Sequence, residues 1–368
     1  MGARGWAGGL GGWGLGRKYQ LSPSRSLSYA ANLRHLWDVP LQRLGIYCQP
    51  FLFPGGTYKV SPQASCNSSE WIGLERYFSI IEETIPFRQL TAKEQLSLMA
   101  RCLRGPIISV DADACALIDY LNIQPNYYHW FLDALPRVFA AEAYGRRSGE
   151  TCHLVVPESL TPWQQDSLLF MGLSLEKLIR VPLAPGHGGW AFRNLITSFS
   201  HRHTRYSTTG HFDALCPLII NQLSERLIDG AEQQANTDSF SPRIYVSRGQ
   251  AALRQVRNEE AVMNVLSPHG FSLLHLDTMP LHEQIQRFRR ATHVISSHGG
   301  ALTNLLYLSP GCQVLEIFQE GHGVRPDFFQ LTALRGGIYS FCVVPSLNAK
   351  NDIEIPLAVL KRFLEASL

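Results

Sequence analysis

Charge is scarce in this 368-residue chain: only 17% of residues are charged, and the formal net charge of +3 is spread thinly, with no basic block. That pattern excludes nucleic acid as the main partner, because a phosphate backbone demands clustered Lys and Arg. Long apolar runs are also missing. The opening MGARGWAGGLGGWGLGRKYQ lacks the continuous hydrophobic stretch of a signal or anchor, so the expectation is a cytoplasmic protein with no transmembrane segment, peripheral membrane association being left open. Eight cysteines occur, Cys48, Cys66, Cys102, Cys115, Cys152, Cys216, Cys312 and Cys342. They form no C-x-x-C pair and have no His at zinc-finger spacing, which argues against a structural zinc and for reduced core thiols.

What is present is the composition of an ordinary globular protein, 45% hydrophobic, in a chain long enough for two domains. The first 40 residues, rich in Gly, Arg and Ser, read as a loosely ordered leader. From PIISV onward, apolar runs alternate with amphipathic stretches: a helical candidate over Tyr127–Tyr144, HLVV, PESLTPWQQDSLLFMGL, a strand at Leu195–Phe199 and a helix near Cys216–Leu227. The polar, turn-forming stretch 229–242 reads as a linker. Beyond it come RIYVSR, a helix over 258–266, FSLLHL, a helix over 281–290, HVISS, HGGALTNLLYL and VLEIF. Short apolar strands separated by helices predict an α/β protein of two Rossmann-like domains, their mostly parallel sheets facing across a cleft. The divisions are 41–235 and 236–368, and the last helix of the second domain can pack back on the first.

Ligands of open parallel sheets sit beyond the carboxyl ends of the strands. The turn after HVISS combines a buried strand, the pair Gly299 and Gly300, and a helix start, so its free N–H groups can cradle a diphosphate. His298 can add a donor, Ala301 lies in the same turn, and Asn304 follows one turn later. Arg248, ending RIYVSR, is placed to grip phosphate oxygens bidentately. The bland alternatives are a simple strand-to-helix turn and a surface ion pair of Arg248 with Glu259 or Glu260.

RIYVSRGQAALRQVRNEEAVMNVL, LLHLDTMPLHEQIQRFRRATHVISSHGGALTNLLYLSPGCQVLEIF and, upstream, NYYHWFLDALPRVFAAE with HLVVPESLTPWQQDSLLFMGL together resemble the family 61 glycosyltransferases. These include bacterial polysaccharide enzymes, plant xylosyltransferases and animal O-GlcNAc-type transferases. The likeness runs from about residue 107 to 318 and departs in having HGGALTN where the family more often has HGAGLTN. It implies a GT-B architecture and an inverting, metal-independent transfer from a nucleotide-diphosphate sugar, with uridine diphosphate as the family-level expectation, to a hydroxyl of a glycan or glycoconjugate. No further cofactor is implied.

Such a transfer needs a base for the acceptor hydroxyl. His129 and Asp133, four apart, share a helix face and fit that role, the carboxylate orienting the imidazole. Against this, Asp133 can pair with Arg137 while His129 packs among aromatics, and Pro136 interrupts the helix. Tyr127, Tyr128 and Trp130 can stack on sugars or fill the core. Glu316 can meet the donor's ribose or be a satisfied buried acid. Arg254, Arg257 and Asn258 can serve phosphate or acceptor.

Two motifs compete. Gly9, Gly11 and Gly14 fit G-x-G-x-x-G but follow no strand, so the dinucleotide reading fails. Asp111 and Asp113 form an Asp-x-Asp after IISV that, alternating along a strand, can clamp a divalent metal, or can simply favour a turn. The alternatives are therefore a metal-dependent transferase built on those two aspartates and a non-catalytic nucleotide-sugar or glycan-binding protein.

Overall fold

A computed structural model describes residues 17–20, 25–28, 30–34, 51–53, 57–67, 73–74, 93, 96, 100, 106–118, 125–183, 189–198, 202–207, 210–234, 240–249, 251–321 and 324–368. Two sheets organise them. In the first, β7 (Ile107–Ala116), β8 (Cys152–Pro157), β9 (Ile179–Val181) and β10 (Gly189–Ser198) run parallel in the order β10-β7-β8-β9. Antiparallel strands extend it at β10: β4 (Thr57–Pro62) with β1 (Arg17–Gln20), and β5 (Ser65–Asn67) with β6 (Gly73–Leu74).

The second sheet holds five strands, all parallel: β13 (Arg243–Val246), β14 (Phe271–Leu274), β15 (His293–Ser297), β16 (Gln313–Gln319) and β17 (Ile338–Val344), in the order β14-β13-β15-β16-β17. The chain steps outward from β13 to β14, then returns across to β15. The strand order thus reverses between β13 and β15, which is where such sheets open a crevice for ligands. Mixed α/β architecture with Rossmann-like sheets is therefore established, although the first sheet is more mixed than the sequence pattern suggests.

The five strands are apolar on both faces because both are covered. On one side Tyr245, Ile295, Leu315 and Ile317 meet Val262 and Leu266 of α4 (Glu259–Leu266) and Leu360 and Phe363 of α7 (Leu357–Ser367). On the other, Ile244, Val294, Val314 and Phe341 join a cluster that continues through Ile220 and Leu223 of α3 (Pro217–Glu232) to Phe131, Leu154 and Ile196. One apolar core thus links the two sheets. The last helix packs against α4 and the second sheet.

Two further expectations change. Residues 229–232, read as linker, complete the last turn of α3; the apolar spacing of Leu223, Leu227 and Ala231, all buried, carries the helix past the polar residues, and 235–239 lie outside the described residues. Part of the leader is tied down: β1 pairs with β4, Leu33 bridges Tyr339, and Asn32 Nδ2 donates to the Gly337 carbonyl at 2.9 Å. Backbone pairing at a sheet edge needs no hydrophobic signature, so composition could not reveal it. Six cysteines, Cys66, Cys115, Cys152, Cys216, Cys312 and Cys342, are free thiols.

Candidate active site

Arg248 follows β13 and His298 follows β15, so the two flank the point where strand order reverses. The Arg248 guanidinium turns toward the glycine turn: Nη1 donates to the His298 carbonyl at 3.1 Å. A Cβ on Gly299 would stand 1.8 Å from Nη1, whereas one on Gly300 would meet nothing within 4 Å. Gly299 therefore makes room for the arginine, and Gly300 borders open space. Gly299 is extended, and Gly300–Tyr307 forms a 3-10 helix rather than the expected α-helix. Its opening N–H groups have no partner inside the helix.

Burial, reinforced by the neighbouring Arg254, brings the Arg248 pKa down to about 10, and Arg254 is itself lowered by burial and by Arg325. The Arg248 Nε is buried without a hydrogen-bond partner among the described residues. Arg325 acts on Arg254 and Arg254 on Arg248, so positive charge accumulates around an unpaired buried donor, which an anion would relieve. The surface ion pair with Glu259 does not form, because Glu259 accepts instead from Ser247 Oγ at 2.9 Å.

Two residues expected at the donor turn inward. Asn304 is fully buried; its Oδ1 accepts from Tyr127 OH at 2.9 Å, and its Nδ2 donates to the Ala301 carbonyl at 3.0 Å and Gln284 Oε1 at 3.2 Å. It fixes the turn to the upstream Tyr127 and does not face the open space. Glu316 is also fully buried, its Oε1 2.5 Å from His298 Nδ1 and its Oε2 accepting from Tyr339 OH at 2.5 Å. Burial raises its pKa, and the bonds from His298 and Tyr339 only partly offset this. Glu316 thus holds the His298 ring, which stacks on Phe318 at 4.9 Å.

His129 Nδ1 lies 2.6 Å from Asp133 Oδ2, with the imidazole one-fifth exposed and the carboxylate buried. The pair shares a face although its helix is irregular: Tyr127–His129 is α-helical, Trp130–Ala134 π-helical, Leu135–Arg137 a 3-10 turn and Val138–Ser148 α-helical again. The widened turn absorbs the N–H that Pro136 lacks, so the proline does not end the helix. Arg137 Nη1 donates to the carbonyls of Ala116 and Ile118 at 3.2 and 3.0 Å. Trp130 is core, its Nε1 donating to Ser167 Oγ at 2.8 Å. Tyr127 packs inside, and Tyr128 OH donates to Asp327 Oδ1 at 2.7 Å.

The Asp-x-Asp pair is split. Across β7 and β10 the register passes from Val110↔Phe192 to Asp113↔Asn194, a bulge that breaks the alternation expected to aim both carboxylates one way. Asp111 is 91% exposed and Asp113 2%. Asp113 accepts from Arg193 Nε and Asn194 Nδ2 at 2.8 Å each and from Tyr144 OH at 2.7 Å. Burial would raise its pKa, but those bonds win and lower it. Its oxygens are committed to protein, so it does not present a metal-ligating face with Asp111. Arg257 and Asn258 are likewise used structurally, by Asp352 and Ile355.

With this geometry in hand, the family model described as Glycosyltransferase 61 matches residues 127–315, just over half of the chain. The chain belongs to glycosyltransferase family 61. No curated protein sequence matches it. The matched span of this glycosyltransferase begins at Tyr127 and ends one residue before Glu316, so it holds the His129–Asp133 pair, Arg248 and the glycine turn. Sequence reasoning missed Arg325, Asp327 and Tyr339. The rule that singled out Arg248, reading the residues just past a strand, does not reach Arg325 and Asp327, which lie six and eight residues beyond β16. Among the described residues no helix is long and apolar enough to cross a membrane.

Proposed function

We propose that this protein is an inverting, metal-independent glycosyltransferase that moves a sugar from a nucleotide diphosphate, uridine diphosphate first among candidates, to a hydroxyl of a glycan or glycoconjugate. The observation that carries the reading is the Arg248 guanidinium lying against Gly299 and the His298 carbonyl at the switch point of the second sheet. In this reading the two halves correspond to the acceptor and donor sides of a GT-B enzyme, divided near residue 235.

The acceptor hydroxyl gives its proton to His129. With Nδ1 bonded to Asp133, Nε2 is the accepting nitrogen, and the carboxylate stabilises the imidazolium that forms. The acceptor oxygen bonds to the anomeric carbon from one face as the bond from that carbon to the phosphate oxygen breaks on the other. The electron pair leaves with the diphosphate, whose growing charge meets Arg248, the opening N–H groups of the 3-10 helix and Arg254. Glu316 acts through His298, holding its ring at the turn.

Thermal melts with UDP, GDP, CDP and ADP, each with and without EDTA, test this. A ligand at about 100 times its Kd adds about 2.7 kcal/mol of stability. One diphosphate should raise the melting temperature equally in both conditions. Stabilisation abolished by EDTA would instead favour a metal-dependent transferase, and none by any nucleotide would remove the donor site.

A further inference from the structure

We infer that Tyr128 and Asp327 are positioning residues that hold the His129–Asp133 pair at a fixed spacing from the Arg248–His298 turn. The inference rests on the proposed function and adds two residues to it. Tyr128 immediately precedes His129, yet its hydroxyl is anchored 199 residues away in sequence, 2.7 Å from Asp327 Oδ1. Asp327 is buried and is the first residue of α6 (Asp327–Leu334), just beyond β16. The two sides of the site are therefore tied by a charge-assisted bond adjacent to the group that takes the proton.

Rings complete the connection. Tyr128 stands edge-on to His129 at 5.1 Å and to Phe328 at 5.9 Å, and Phe328 lies 5.5 Å from the His298 ring. An unbroken row of rings, His129, Tyr128, Phe328 and His298, thus spans from the candidate base to the donor turn, with the Tyr128 hydroxyl fixing its middle. In-line transfer needs acceptor oxygen, anomeric carbon and leaving oxygen in register, and a misplacement of about 1 Å costs on the order of a hundredfold. The junction itself has other fastenings: Tyr127 to Asn304 at 2.9 Å, Ser224 Oγ to the Leu306 carbonyl at 2.6 Å, and the Leu215 N–H to Gln330 Oε1 at 2.9 Å. Loss of the Tyr128 hydroxyl should therefore loosen the spacing without opening the fold.

The test compares wild type with Tyr128→Phe, Asp327→Ala and Asp327→Asn. Calorimetry measures affinity for the nucleoside diphosphate that stabilises the wild type, and release of that diphosphate from its sugar ester in water measures turnover without needing the natural acceptor. Tyr128→Phe and Asp327→Ala should keep affinity within about twofold while turnover falls about ten- to a hundredfold. Asp327→Asn still offers an Oδ1 acceptor and should stay within about threefold of wild type. Wild-type turnover in Tyr128→Phe, parallel loss of affinity and turnover, or equal damage from Asn and Ala would each overturn the inference alone, whereas wild-type binding without turnover would overturn the proposed transfer as well. A wild type that binds no diphosphate overturns the proposed function, and this inference falls with it.

Discussion

The two sheets solve the same problem differently. In the second, five parallel strands keep an unbroken one-to-one register, so side chains past the strand ends are placed by the strands themselves: Arg248 and His298 face each other because β13 and β15 are neighbours. In the first, antiparallel strands are grafted onto β10 and a bulge interrupts β7. There strand position does not predict side-chain direction, and the candidate base pair, His129 and Asp133, sits on a helix whose Tyr127 and Tyr128 are bonded to Asn304 and Asp327 of the other half. A regular sheet positions by register; an irregular one has to borrow its precision from tertiary bonds.

The sharpest way to test that contrast is to remove the group that register places. Arg248→Ala should lower turnover by on the order of 3 kcal/mol, more than a hundredfold, as loss of a preorganised charged donor does. The fold should survive, since the half-buried side chain makes one hydrogen bond to a carbonyl. Turnover at the wild-type rate in a folded Arg248→Ala variant would take the strand-end arginine out of the mechanism.

A smaller effect separates the two glycines. Gly299→Ala puts a methyl where Nη1 now lies, so the guanidinium must move while the backbone, extended at this point, need not. One displaced charged hydrogen bond is worth about 1.5 to 3 kcal/mol, so diphosphate affinity should fall about tenfold or more. Gly300→Ala meets no protein atom within 4 Å and should leave the melting temperature of the free protein unchanged while weakening diphosphate binding, because its methyl occupies the open space itself. Equal binding by wild type and Gly299→Ala would show that the guanidinium's seat is immaterial.

The same contrast marks what the sequence could reveal. Strands β13 to β16 and helix Leu281–Arg290 were legible because apolar period and turn residues agree there. Arg248, His298 and the glycine pair followed from the strand-end rule. The i, i+4 spacing correctly placed His129 against Asp133 despite the π-helical turn. The fates of Asn304, Glu316, Asp113 and Tyr128 were not legible, because each depends on a partner 23 to 199 residues distant in sequence. Hydrogen-bond satisfaction of a buried polar group is a tertiary fact, and no local pattern carries it.

The smallest expected effect lies in the loop that carries Arg254. Asp352 accepts from Asn348 Nδ2, the Gln255 N–H and Arg257 Nε, each at 2.9 Å, and these bonds hold its pKa at about 2, below the ordinary 3.8. The bond to Gln255 fastens the residue after Arg254, whose own N–H donates to the Lys350 carbonyl at 2.9 Å and whose φ of 62° is left-handed. Because the folded-state pKa is depressed, the stabilisation is complete above 3.8 and disappears as pH falls toward 2. Asp352→Asn should therefore melt below wild type at pH 7, with the gap closing between pH 4 and 2; a gap independent of pH would mean that the carboxylate's charge does not hold this loop. If the loop matters only through Arg254, diphosphate affinity should weaken slightly in the same variant, whereas the His129–Asp133 side, built on the other sheet, should not change.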